Sequence, residues 1–286
     1  SQVSRTDRSG ALICLDLSAK TGLDRGKFTV KTALMSLRLD FTASDRPEAQ
    51  EACARLKARY GAAANPDVVV ALGGDGFLLQ TVHKYLKAQI PIFGMNRGSV
   101  GFLLNDYAED NLLERILKSE STLISPLSMT ARTRAGTEHT ALAFNEVSLL
   151  RMSHQGAKLR ILIDGKVRLD ELICDGVMVA TPAGSTAYNL SAHGPIIPLT
   201  AKALALTPIS AFRPRRWRGA ILPHTAKVRI EALEVEKRPI SAAADTYDVR
   251  DVISVDIAEA EDLKATLLFD AGNGYDERVL AEQFVS

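Results

Sequence analysis

The sequence predicts an N-terminal α/β unit built on a parallel sheet, followed by a β-rich, sandwich-like unit. Three observations carry this prediction. Short β-branched runs alternate with helix-like stretches up to about residue 124, the pattern of parallel strands covered by helices. From residue 125 onward, short strand-like runs follow one another with turn signals between them, as in packed antiparallel sheets. Gly73-Gly74-Asp75-Gly76 stands between the most apolar strand-like run and a helix-like stretch, which is where open α/β sheets place their ligands.

In chain order, Ala11 to Leu15 offers a first strand and Leu37 to Ala43 a second. Ser44, Pro47 and Glu48 suit the cap, the start and the first turn of a helix that Gly61 closes. Asp67 to Leu72 (DVVVAL) is almost wholly apolar, as expected of a strand covered on both faces. A helix over Phe77 to Lys87, a strand over Ile90 to Gly94 and a helix over Asp110 to Lys118 complete the first unit. Strands are then expected at Ser128–Arg134, Ala141–Arg151, Lys158–Ile163, Lys166–Cys174, Gly176–Thr181, Lys227–Leu233 and Val252–Ile257. The Asp164-Gly165 pair marks a two-residue hairpin. The chain thus divides into 1–124, 125–260 and a tail, 261–286, whose Leu263, Leu267, Leu268 and Phe269 are expected to pack back on the first unit.

Composition removes several classes of function. The 286 residues carry 35 Lys and Arg against 34 Asp and Glu, so no global field draws the chain to nucleic acid. A hydrophobic content of 46% excludes wholesale disorder. No apolar run approaches the roughly 18–20 residues that cross a bilayer, and Ser1 to Gly10 lacks the order of a secretory signal. The expected protein is cytoplasmic and has no membrane partner. Cys14, Cys53 and Cys174 form no Cys-x-x-Cys pair, so three free thiols and no zinc site are expected.

Four segments carry candidate chemistry. In GGDG, glycine permits positive φ and close approach of a phosphate or ribose, and the following helix start favours negative charge. A tight turn with a capping Asp75 explains those four residues equally well. Gly94-Met95-Asn96-Arg97-Gly98-Ser99-Val100-Gly101 forms a second glycine loop after the next strand. Its spacing is not that of the dinucleotide fingerprint, and Gly22 to Lys27 is no Walker A sequence. Two such loops at successive strand ends would line one crevice, which favours a phosphate-bearing ligand. The third segment is Asp175-Gly176 with Thr181-Pro182-Ala183-Gly184-Ser185-Thr186-Ala187-Tyr188-Asn189-Leu190-Ser191, ending in Gly194-Pro195. It offers hydroxyls, unshielded backbone and the flat face of Tyr188. The fourth is Asn145-Glu146, an amide and an acid within an apolar run, suited to hydrogen-bonding a ribose or purine or to satisfying a strand end.

Taken in order, GGDG, GMNRGSVGFL, NE, DG and TPAGSTAYNLSAHGPIIP resemble the NAD kinase family. The resemblance runs from about Ser44 to the C-terminus and is most specific in TPAGSTAY. It implies a Rossmann-like, diacylglycerol-kinase-like α/β domain, a β-rich domain, a site between them, and a homodimer or homotetramer whose subunits share the NAD site. Asp75 then matches the catalytic acid, flanked by Gly74 and Gly76 at the substrate. Asn145 and Glu146 match the pair that holds NAD, and Thr186, Ala187, Tyr188, Asn189 and Ser191 fall in the adenosine-binding segment. Asp175 matches an acid that reaches NAD across a subunit boundary. Two departures are visible: Phe77 stands where many members have Thr, and the usual DGQ is Asp245-Thr246-Tyr247, whose Asp245 is still expected among the NAD-binding residues.

The implied reaction is phosphoryl transfer from ATP or polyphosphate to the adenosine ribose 2′-hydroxyl of NAD, with Mg²⁺ or another divalent ion carried in on the phosphates. No protein metal ligand is assigned. The rival readings are a lipid kinase of the diacylglycerol kinase type and a non-catalytic NADP(H)-binding sensor. The basic stretch Ala211 to Gly219 is read as a solvated or subunit-contact loop in which Arg residues can stack on Trp217. His193 and His224 lack the partners of a metal site. Ser185 lacks the glycine frame of a nucleophile elbow.

Overall fold

The computed structural model describes residues 37–98 and 101–272. The expected strand at Ala11 to Leu15, Cys14 and the far end of the tail lie outside the described residues. One sheet is built from β1 (Leu39–Ala43), β2 (Val68–Gly73) and β3 (Ile92–Asn96), all parallel. It is extended by β17 (Ala265–Phe269), parallel to β3, and by β4 (Glu120–Ile124), antiparallel to β17 at the edge. The C-terminal segment therefore contributes a strand to the first sheet.

Helix α1 (Pro47–Tyr60) buries Ala49, Ala52, Cys53 and Leu56, spaced for one helical face. These pack with Phe41, Val68, Val70 and Leu72 on one side of the sheet. Helix α2 (Asp75–Tyr85) buries Leu78, Leu79 and Val82 against the opposite side, where Ala71 lies. All six residues of β2 are consequently buried. Ser44 does not cap α1: Arg46 occupies the cap position without a side-chain bond, and Ser44 keeps its main-chain N–H on Leu72 O at 2.9 Å. The strand pairing thus runs one residue beyond β1 and holds Ser44 away from the helix start. Helix α2 begins two residues before the expected Phe77 and gives way to a 3₁₀ turn at Leu86–Ala88. Helix α3 (Leu112–Lys118) follows β3, and its Arg115 grips Asp270, just past β17, at 2.6 Å.

The remaining strands form two antiparallel six-stranded sheets around one core. One sheet orders β6 (Glu138–Ala143), β5 (Leu127–Thr133), β16 (Val252–Glu259), β13 (Val228–Ala232), β8 (Ala157–Ile163) and β9 (Lys166–Cys174). The other orders β12 (Ala220–Pro223), β11 (Ala203–Ile209), β10 (Gly176–Ala180), β7 (Glu146–Arg151), β14 (Ile240–Ala244) and β15 (Tyr247–Val249). Met129 and Leu159 of the first pack with Val147, Val177 and Leu206 of the second. Asp164 and Gly165 both have positive φ, 51° and 75°, and close the β8–β9 hairpin with Ile163 opposite Lys166, as a two-residue turn of this composition requires.

The expected single strand Ala141–Arg151 is two strands, β6 and β7, in different sheets. The chain crosses between them at Phe144-Asn145. Among the described residues no helix is long and apolar enough to cross a membrane.

Candidate active site

The glycine loop connects β2 to α2 at the carboxyl edge of the parallel sheet. Gly74 is the cap residue of α2 with φ −100° and ψ 178°, and neither it nor Gly76 has positive φ. The positive-φ role expected of these glycines is therefore not used. A Cβ added to either would meet no atom within 4 Å, so what the glycines leave is open room beside the backbone. Phe77, at the departure from the family pattern, lies where a Cβ on Gly73 would come within 2.9 Å of its side chain.

Asp75 is the first residue of α2. Its Oδ2 accepts the main-chain N–H of Phe102 at 2.8 Å and its Oδ1 that of Leu103 at 3.1 Å. These bonds draw the second glycine loop onto the first. Arg97 N donates to Gly73 O at 2.8 Å, and Gly98 packs so closely that a Cβ there would lie 3.3 Å from Gly74 Cα.

The crossing between the two sandwich sheets forms a wall packed on the same helix. Phe144 is fully buried and packs in one cluster with Leu78, Leu79 and Val82 of α2 and with Ala183. The β-rich part is thereby fastened to the Asp75 helix. Asp245 accepts the main-chain N–H of Phe144 at 2.7 Å on Oδ2 and that of Asn145 at 2.9 Å on Oδ1. Asn145 O accepts Thr181 N at 2.9 Å, while Thr181 Oγ1 donates to Phe144 O at 2.6 Å and accepts Gly184 N at 3.0 Å. Only glycine fits at 184, because a Cβ there would fall 2.1 Å from Asn145 O. With the main chain held, two side-chain acceptors are left over: Asn145 Oδ1 and Glu146 Oε2 are buried and have no hydrogen-bond partner among the described residues. Burial, with a smaller contribution from the Asp245 charge, raises the Glu146 carboxyl to about 7.

The segment after β10 continues this wall. Ala183–Thr186 is a 3₁₀ turn and α4 (Tyr188–Ser191) a single helical turn. Thr186 is buried, whereas Tyr188 is 37% exposed and Ser191 is exposed. Asn189 differs from its expected place at the ligand. It is completely buried, its Nδ2 donates to Ser185 O and Pro195 O at 3.1 and 2.9 Å, and its Oδ1 accepts Thr207 Oγ1 at 2.6 Å. That amide is spent on holding the turn. Ser185, also buried, bonds Pro182 O and the Ile197 main chain.

Asp245 likewise sits behind the wall: its side chain is 6% exposed and both oxygens hold main-chain N–H groups. Its further partner, His83 Nε2 at 2.9 Å, is a residue the sequence did not single out, since a lone histidine on a helix carries no signal. Asp175 stands apart from the other candidates. On β10, Gly176 pairs with Leu150 while Ala180 pairs with Glu146, so Asp175 lies beyond the far end of that strand, ~17 Å away along its axis. Its Oδ1 accepts Arg151 Nε at 2.6 Å, and it lines a cavity of about 400 Å³ with Cys174, Ser210, Phe212 and Arg238.

In the basic loop Arg215 stacks over Phe212, 5.0 Å from the ring centre, whereas Trp217, the expected partner, packs against the sandwich core. Cys53 and Cys174 are free and buried, and burial lifts the Cys174 thiol to about 12. Among the described residues no group of three or more His, Cys, Asp or Glu side chains converges as a metal site, and no residue is assigned to an ion.

A glycine loop at the carboxyl edge of a parallel sheet, followed by a helix packed on a β-sandwich crossing that bears two orphaned acceptors, defines a nucleotide-binding protein of two-part α/β and β architecture. Residues 27–122 match the ATP-NAD kinase N-terminal domain and residues 144–258 the ATP-NAD kinase C-terminal domain. The chain is 63% identical over 249 residues to an NAD kinase of Caulobacter vibrioides, covering 86% of this chain and 96% of that one. It is 56% identical over 251 residues to an NAD kinase of Brucella suis biovar 1, covering 87% and 98%. The chain belongs to the NAD kinase family. Its fold is shared by yeast NADH kinase complexed with NADH, with a TM-score of 0.75 at 22% identity over 87% of this chain and 88% of that one. It is also shared by an NAD kinase from Archaeoglobus fulgidus in complex with ATP, with a TM-score of 0.67 at 24% identity over 86% and 96%.

Proposed function

We propose that NAD binds between the Gly74–Gly76 loop and the Asn145-Glu146 pair, and that its adenosine ribose 2′-hydroxyl is phosphorylated there by ATP. The chain is then an NAD kinase whose product is NADP. The observation that carries the placement is the pair of orphaned acceptors, Asn145 Oδ1 and Glu146 Oε2. Buried acceptors left unmatched are costly, and ribose hydroxyls and the adenine amino group are the donors that would satisfy them. Tyr188, exposed four residues after the Gly184 that abuts Asn145, supplies a flat face for the adenine.

In the reaction the ribose oxygen attacks the terminal phosphorus of the donor. A new O–P bond forms, the bond to the leaving ADP oxygen breaks, and the hydroxyl proton passes to Asp75. The two backbone bonds on Asp75 fix the direction of the carboxylate that takes this proton. Most of the acceleration comes from such alignment, since phosphoryl transfer leaves the protein little covalent work. A divalent cation, Mg²⁺ by family resemblance, neutralises charge on the donor phosphates when bound.

The finer family resemblances belong to the same proposal. The α/β part is diacylglycerol-kinase-like in its strand–GGDG–helix arrangement, Asp175 serves the NAD site of a neighbouring subunit in a homodimer or homotetramer, and the enzyme is cytoplasmic, where buried thiols such as Cys53 and Cys174 stay reduced. The test is a coupled assay of NADP formation with NAD as acceptor and ATP or polyphosphate as donor. NADP formed with ATP supports the reading. Absence of NADP with either donor, or phosphate transferred to diacylglycerol instead, overturns it.

A further inference from the structure

We propose that His83 is a positioning residue for phosphoryl transfer, acting through Asp245 to set the Asn145-Glu146 pair against the helix that carries Asp75. The inference rests on the reading that this pair holds NAD. His83 Nε2 lies 2.9 Å from Asp245 Oδ2, and the same carboxylate holds the main-chain N–H groups of Phe144 and Asn145. One acid thus gathers a side chain of α2 and two consecutive main-chain groups of the sheet crossing. The imidazole also meets the Phe144 ring edge-on, with ring centres 5.1 Å apart and planes at 77°.

The side chain of His83 is one-third exposed, so packing alone gives no reason for a histidine there. Its place on the helix does. His83 follows Asp75 by eight residues on α2, about 12 Å along a rigid axis. One end of that rod meets the reacting hydroxyl, and the other registers the wall against which NAD lies. An apolar residue at 83 would leave Asp245 Oδ2 with the Phe144 N–H alone and free the crossing to drift by the fraction of an ångström to which transfer geometry is sensitive.

The experiment compares His83→Leu, His83→Gln and His83→Asn with wild type and with Asn145→Ala, varying NAD and ATP separately and recording the melting temperature of each variant. A glutamine presents an N–H at the reach of imidazole Nε2, whereas asparagine falls short. The expected result is that His83→Leu and His83→Asn lower kcat/KM for NAD about tenfold or more, the loss set by one charge-assisted hydrogen bond. KM for ATP should stay within about twofold, and His83→Gln should recover most of the loss. If His83→Leu fails to fold, the Gln and Asn pair decides. Equal behaviour of Gln and Asn, whether both like wild type or both equally impaired, overturns the proposal, as does a rise in KM for ATP as large as any change in KM for NAD. Wild-type NAD kinetics in the His83 variants while Asn145→Ala raises KM for NAD sinks the inference and leaves the NAD reading intact. No effect of Asn145→Ala on NAD removes the reading itself, and the inference with it.

Discussion

Asp75 Oδ2 accepts the main-chain N–H of Phe102 at 2.8 Å, and this bond, with its neighbour from Leu103, makes the carboxylate the fastening of a loop as well as the proposed proton acceptor. Asp75→Asn therefore does more than remove a proton acceptor. The amide keeps one acceptor oxygen and turns an NH₂ toward a second N–H donor. An unmet donor of this kind costs about 1–3 kcal/mol, which in a chain of this size lowers the melting temperature by a few degrees. Loss of the positioned base lowers kcat by about 10²–10⁴-fold. Near-normal turnover in a pure preparation of the variant would remove Asp75 from the mechanism.

Glu146 gives a pH dependence with a definite sign. Its carboxyl ordinarily titrates near 4.5 and is raised to about 7 in the folded chain, mainly by burial. Between those values the native state binds more protons than the unfolded state, so this residue's contribution to stability falls as pH rises from about 4.5 to 7 and is level above. Glu146→Gln removes that slope. The melting temperature of the ligand-free variant should gain on wild type as pH goes from 5 to 8, and parallel profiles would show that Glu146 titrates normally.

The parts of this arrangement that the sequence exposes are those set by local chemistry. Asp164-Gly165 supplies the two positive φ values of a tight hairpin, and the unbroken run Val68 to Leu72 announces a strand covered on both faces. The crossing at Phe144-Asn145 was not legible, because an apolar run reads alike whether it stays in one sheet or passes between two. Strands β11, β12, β14 and β15 also escaped notice. β14 reads ISAAA and β11 contains Pro208, and neither alanine nor proline carries a strand signal. At the site, motif order singled out Asp75, Asn145 and Glu146 together with Asn189 and Asp245, but it could not tell side chains with orphaned acceptors, such as Asn145 and Glu146, from side chains already spent on the fold, such as Asn189 and Asp245. That distinction depends on which hydrogen bonds the folded chain already satisfies.

Tyr188 tests the adenosine assignment. It begins the single turn of α4 and is exposed, while the next residue, Asn189, anchors that turn from beneath. Tyr188→Ala removes the ring without disturbing the anchor, so it should raise KM for NAD and leave KM for ATP nearly unchanged. Stacking on a base is worth roughly 1–3 kcal/mol, which corresponds to about a 5- to 150-fold weaker affinity. A change confined to the ATP constant would place the ring on the donor instead.

Asp175 raises the question of how many chains build one site. It lies beyond the end of β10 opposite Glu146, ion-paired with Arg151 at 2.6 Å. The proposal is that it serves the NAD bound mainly by another subunit. If it does, Asp75→Asn subunits lack the proton acceptor but carry a sound Asp175, and Asp175→Ala subunits carry the reverse. Mixed oligomers then contain sites that draw Asp75 from the Asp175→Ala chain and Asp175 from the Asp75→Asn chain, so mixing two poorly active preparations should restore activity. Subunit exchange must first be demonstrated, for example with differently tagged chains recovered together. Activity that rises with the fraction of mixed oligomers supports a shared site. Mixed oligomers without any rise confine Asp175 to its own chain, where its pair with Arg151 would serve the β9–β10 corner alone.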